Sequence, residues 1–157
     1  MTKQTPPGPG IGPAIIVHSL DHARAALAAA AALGRPVTLL SAPGAAEYAG
    51  VAWFGKIVTL AAAEWPDAAY HGVIDCADRP GLVLAALRHG MTHVRFTGPK
   101  VAAEKLSAIA KEMGAELLSG RLSALDLRAA ADPHAACRGW LKARSRKKNP
   151  KGARHSS

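Results

Sequence analysis

Apolar positions come in short aliphatic runs, and each run is followed by a longer segment with apolar residues at helical spacing. Ala14-Ile15-Ile16-Val17 is the first run. A helical segment follows from about Leu20 to Leu33, with Ser19 or Asp21 as candidate cap and Gly34 as its end. Val37-Thr38-Leu39-Leu40 is the second run. Behind it Val51, Phe54, Val58 and Ala61 mark a helix within residues 45–65, whose first turns Gly50 and Gly55 weaken and which Pro66 stops. The third run is Gly72-Val73-Ile74-Asp75-Cys76, followed by a helix that Asp78 is expected to cap, with Pro80 in its first turn and Gly90 after it. His93-Val94-Arg95-Phe96-Thr97 leads into a helix opened by Pro99, carrying Ala102, Leu106, Ile109 and Met113 on one face. A short fifth run, Ala115-Glu116-Leu117-Leu118, precedes a helix expected over about 122–131. Asp132-Pro133 restarts a last helix through Cys137, Trp140 and Leu141.

Five strand–helix units with short connections imply parallel strands joined by right-handed crossovers. Strands that are apolar without alternation are those covered on both faces. The expected fold is therefore α/β: a five-stranded, mostly parallel sheet with helices on both faces, of flavodoxin or Rossmann type. The alternative is half of a β/α barrel, which five units are too few to close. Receiver and flavodoxin-like domains have a similar order of units, but the first run here lacks the acidic pair of receivers, leaving Asp75 as the one candidate acceptor.

Composition adds three points. Of 157 residues, 49% are hydrophobic but only 4% aromatic, so the core must rest on Val, Ile and Leu with closely packed backbones. The alanine-rich stretch 24–32 suits a helix lying close to a sheet, or a contact with a second copy of the chain, so a homo-oligomer is kept open. The net charge of +9 sits at one end: Lys142, Arg144, Arg146, Lys147, Lys148, Lys151 and Arg154 have no acid among them, and nine less seven leaves +2 for the rest. The organisation read from this is a disordered Pro/Gly-rich start (1–12), one α/β domain (13–141) and a basic flexible tail (142–157). No apolar run reaches the ~18 residues of a spanning helix, and the start lacks a secretory apolar core, so the expectation is a cytoplasmic protein with no membrane partner.

In folds of this class ligands bind beyond the carboxyl ends of the strands. Three stretches fall there. LLSAPG puts Ser41 and Gly44 between a strand and a helix, where backbone N–H groups can meet an anion, although it matches neither GxGxxG nor a phosphate loop. RFTGPK offers a hydroxyl at Thr97, close backbone approach at Gly98 and a cation at Lys100, in a first turn whose dipole would prefer an acid. VIDCAD ends an apolar strand in Asp75, which can pair with Arg95 if the two strands are neighbours. That pair is either structural or a ligand fork, with Asp75 as acid/base or orienting group. Cys76 and Cys137 fit no metal spacing and read as separate reduced thiols; the seven histidines are scattered, and no metal is assigned.

Two functions follow as expectations. The first is a site for an anionic small molecule, phosphorylated or carboxylated, held by Ser41, Gly44, Arg95, Thr97, Gly98 and Lys100. The second is a non-catalytic module tethered to nucleic acid or an acidic protein by the basic tail, which lacks the interleaved aromatics needed to stack on bases.

Overall fold

The structure is a computed structural model that describes the backbone of residues 12–155 and the side chains of residues 12–144. The expected disordered start lies outside the described residues except for Gly12. The chain is an α/β protein built on a parallel sheet flanked by helices, with six strands where five were expected.

β1 (Ala14–Val17) leads into α1 (Leu20–Leu33), whose N-cap Ser19 accepts the His22 amide and whose end is Gly34 in the left-handed region. β2 (Val37–Ser41) is followed by a short α2 (Ala45–Tyr48) and α3 (Val51–Glu64). The break between these helices falls at Gly50, whose φ of 93° has a steric cost for any residue with a Cβ. β3 (Tyr70–Asp75), α4 (Pro80–Arg88), β4 (His93–Arg95), α5 (Lys100–Glu112) and β5 (Glu116–Leu118) complete the expected series. Asp78 does not cap α4: the N-cap is Arg79, with no side-chain hydrogen bond to the helix.

The expected helix over 122–131 is instead β6 (Ala124–Asp126) and a single 3-10 turn (Leu127–Ala129). The open edge of β1 decides this, because β6 pairs with it in parallel. Leu125 and Leu127, two apart, then both pack on the core. α6 (Pro133–His155) closes the chain as one helix whose backbone runs through the basic segment.

The sheet order is β5-β4-β3-β2-β1-β6. Alternate strand residues Ile15, Val17, Val37, Leu39, Tyr70, Ile74, Val94 and Phe96 join the helices in one core. α1 crosses that core between α3 and α6, so its alanines are spent inside the chain. The other strand positions, Thr38, Leu40, His71, Val73, Asp75 and His93, line the opposite face and are buried too.

Connection lengths show how that face is covered. The registers place Leu118 level with Arg95 and Asp75, and from there with Ala42 and His18, which is two residues past the last β1–β6 pair, Ile16–Asp126. Ala124 lies four residues lower, ~13 Å along the strand. Laid flat, the sheet would separate β5 from β6 by ~24 Å, since five strand spacings lie between them. The chain covers Leu118 to Ala124 in six Cα–Cα steps, at most ~22 Å. The sheet therefore curls, bringing its two edges toward each other as in a partial β/α barrel and folding the second face inward.

Candidate functional site at the carboxyl ends of the strands

Asp75 is the hub of this end of the sheet. It is the last residue of β3 and is directly paired with Arg95 of β4, so alternation points both side chains the same way. Its Oδ2 lies 3.4 Å from Arg95 Nε, and both side chains are largely buried, at 6% and 14% exposure. Its Oδ1 accepts the amides of Gly44 at 2.9 Å and Ala77 at 2.8 Å. Its own amide donates to the Ser41 hydroxyl at 2.8 Å.

One carboxylate thus ties three connections together. Gly44, at φ 71°, can aim its N–H at Asp75 from the left-handed region. Ala77, at φ 52°, holds the same region at a cost of about 1–2 kcal/mol. The Asp75 bond and the bond from the Thr97 amide to the Ala77 carbonyl (2.8 Å) keep it there. Ser41 and Gly44 therefore belong to the scaffold of the site through Asp75.

Arg95, Thr97, Gly98 and Lys100 form the outer part. Arg95 uses Nε toward Asp75, and no ion pair from its terminal guanidinium nitrogens is recorded among the described residues. Thr97 and Lys100 are exposed. Gly98 has no room for a Cβ, which would stand 2.4 Å from Cζ of the buried Phe96 ring, so the backbone is drawn close over that ring. α5 begins behind Pro99 with no side-chain cap, and α3 and α4 also start without one. Their first N–H groups have no intrahelical partner, and this is the end of a helix that attracts anions.

Sequence reasoning missed a second pair. His18 follows β1, and its Nε2 lies 2.6 Å from Asp126 Oδ1 at the end of β6. Burial works against the Asp126 charge, but the Arg128 amide and the His18 ring outweigh it and hold the carboxyl below its usual range. The pair was hidden because β6 itself read as helix; the two-residue spacing of Leu125 and Leu127 is the signal that would have revealed it. His22 packs edge-on to His18, and burial first, then that neighbour, lowers its pKa.

The remaining chemistry is muted. Burial, and secondarily the Asp75 carboxylate, push the Cys76 thiol up to about 12, and burial does the same for Cys137. Neither is a thiolate at neutral pH. Among the described residues no group of three His, Cys, Asp or Glu is placed to hold a metal ion, and no helix is long and apolar enough to cross a membrane. Two cavities, of about 370 and 200 Å³, lie away from the strand ends, the smaller one over Gly72 between Phe54, Val58 and Met91. No protein-family model and no curated protein matches the chain.

Proposed function

We propose that this protein binds an anionic small molecule, phosphorylated or carboxylated, at the carboxyl ends of its strands. Arg95, Thr97 and Lys100 contact the anion in this reading, and the uncapped start of α5 adds backbone N–H groups. Asp75 orients Arg95, while Ser41 and Gly44 brace Asp75. One observation carries the reading: Arg95, held by a carboxylate on one side, ends β4, and the exposed Thr97 and Lys100 lie on the short connection from it into the uncapped start of α5. Such a fork suits the planar oxygens of a carboxylate or phosphate. Asp75 already serves two amides and a cation, so binding is better supported than acid/base chemistry.

The test is a thermal-shift screen of the full chain against inorganic phosphate, sugar phosphates, nucleotides and small dicarboxylates. A ligand at ~100 times its dissociation constant adds about 2.7 kcal/mol of stability. The expected result is a shift for one anion class that Lys100→Ala and Thr97→Val each reduce while leaving the unliganded melting temperature unchanged. A panel with no shift, or a shift indifferent to both substitutions, defeats the reading.

A further inference from the structure

Two glycines stand where local structure disfavours them. Gly55 is inside α3, and Gly72 is inside β3, a strand buried along its whole length. Glycine in a helix or strand interior costs backbone entropy and gives up a side chain that could pack. Elsewhere in the chain the reason for a glycine is visible: Gly44 holds a positive φ, and Gly98 has no room for a Cβ. Neither reason applies to these two, which lie outside the left-handed region. A Cβ on Gly72 would stand 3.6 Å from Val58 Cγ1 and 3.9 Å from Phe54 Cε2, both ordinary contact distances. A Cβ on Gly55 would meet nothing within 4 Å.

Both glycines line one cavity of about 200 Å³, between α3, β3 and the link from α4 to β4. What they have in common is the space they leave open. Phe54, Val58 and Met91 form its apolar wall. Thr59 and His89 are exposed at its rim, so it opens to solvent. Among the described residues that line it there is no Lys, Arg, Asp or Glu. A charged ligand would shed water there without gaining a counter-ion. A ring would find an aromatic face at Phe54 and a thioether at Met91. An apolar cavity of ~150 Å³ takes benzene, so this one suits a single ring with small substituents. The Thr59 hydroxyl and the His89 imidazole offer those substituents donors and acceptors.

We propose that this cavity binds an uncharged, single-ring heteroaromatic molecule with hydrogen-bonding groups on its edge. Gly72 is its floor, Gly55 is part of its wall, and the rim at Thr59 and His89 selects the polar edge. The site lies beside the amino halves of β3 and β4 and does not rest on the strand-end reading.

The experiment is a methyl-resonance titration of the full chain with four one-ring probes: uracil, nicotinamide, nicotinate and toluene. Nicotinate adds a charge to the nicotinamide frame, and toluene lacks the polar edge. Uracil or nicotinamide should shift the methyl resonances of Val58, Thr59 and Met91 saturably while that of Thr97 stays in place. Nicotinate and toluene should bind at least about tenfold more weakly. Gly72→Ala puts a methyl group on the floor of the cavity and should weaken the neutral heterocycle about tenfold or more. Its melting temperature should equal or exceed that of the native chain, because the backbone there accepts alanine. Thr59→Val changes only the exposed rim, and should weaken the neutral heterocycle without moving the melting temperature. Lys100→Ala should bind the probes as the native chain does, which separates this site from the one at the strand ends. No saturable shift with either neutral heterocycle, equal binding of nicotinate or toluene, or undiminished binding by Gly72→Ala or by Thr59→Val overturns the proposal.

Discussion

Asp75 shows how one side chain can serve fold and site together: its Oδ1 fixes two turns and its Oδ2 aims a guanidinium. The buried histidines of the inner face are the contrasting case. His71 and His93 stand on adjacent strands with ring centres 4.4 Å apart. Neither nitrogen of His71 nor Nε2 of His93 has a hydrogen-bond partner, while His93 Nδ1 meets the Thr92 hydroxyl. Burial, and then the neighbouring His71, lower the His93 pKa to about 4. In the unfolded chain the same ring titrates near 6.5, so between these values the unfolded state binds the extra proton. Stability is therefore unaffected above pH ~6.5 and falls as the pH drops toward 4, by up to about 3 kcal/mol. A proton on His93 would stand unsolvated beside the His71 ring at the β3–β4 seam, which the pairs Ile74–Val94 and Asp75–Arg95 hold in register. Thr38 on β2 and Glu116, paired with His93 on β5, are the nearest polar positions in register. Chemical denaturation at pH 7.5 and 4.5 measures the loss, and His93→Gln should reduce it; equal losses in both chains would place the acid sensitivity elsewhere.

At the scale of elements, the sequence was informative where local pattern and tertiary role agree. Ile15, Ile16 and Val17, or Val73 and Ile74, are β-branched runs between turn signals, and each became a strand. Asp75 and Arg95 could be paired in advance because alternation and strand adjacency suffice to place them. β6 was not legible, because Ala124-Leu125-Asp126 lies in an alanine- and leucine-rich stretch whose local preference is helix. Only the open edge of β1, more than a hundred residues earlier, turns it into a strand. The His18–Asp126 contact was lost with it. That contact has its own consequence, since Asp126 both pins β6 to the end of β1 and accepts the Arg128 amide that starts the 3-10 turn. Asp126→Ala should cost about 1 kcal/mol, in line with a lost cap. Its signature is faster hydrogen exchange at residues 124–129 while β2 and β3 keep their protection; uniform acceleration across the sheet would show that Asp126 holds more than its own edge.

For the molecule as a whole, the decisive quantity is the short link between β5 and β6. Ordinary parallel pairing does not distinguish a flat sheet from a curled one, since both can share the order β5-β4-β3-β2-β1-β6. Chain length does. Six Cα–Cα steps of at most ~22 Å must descend ~13 Å along the strands, which leaves no more than ~18 Å for the lateral gap between the sheet edges. A flat sheet needs ~24 Å. His71 and His93 lie buried on the inner face, so their burial depends on the curl. Leu118 ends β5 and Arg128 lies two residues past β6 in the 3-10 turn, and both side chains reach solvent at least in part. Spin labels on Leu118→Cys and Arg128→Cys therefore read the gap directly. Cys76 and Cys137 can stay, because both thiols are buried and pushed up to about 12, which protects them from labelling. The expected backbone separation is under ~18 Å. A separation of ~24 Å or more would mean that β6 is not seated on β1 in solution, and the inner face with its two histidines would then be open to water.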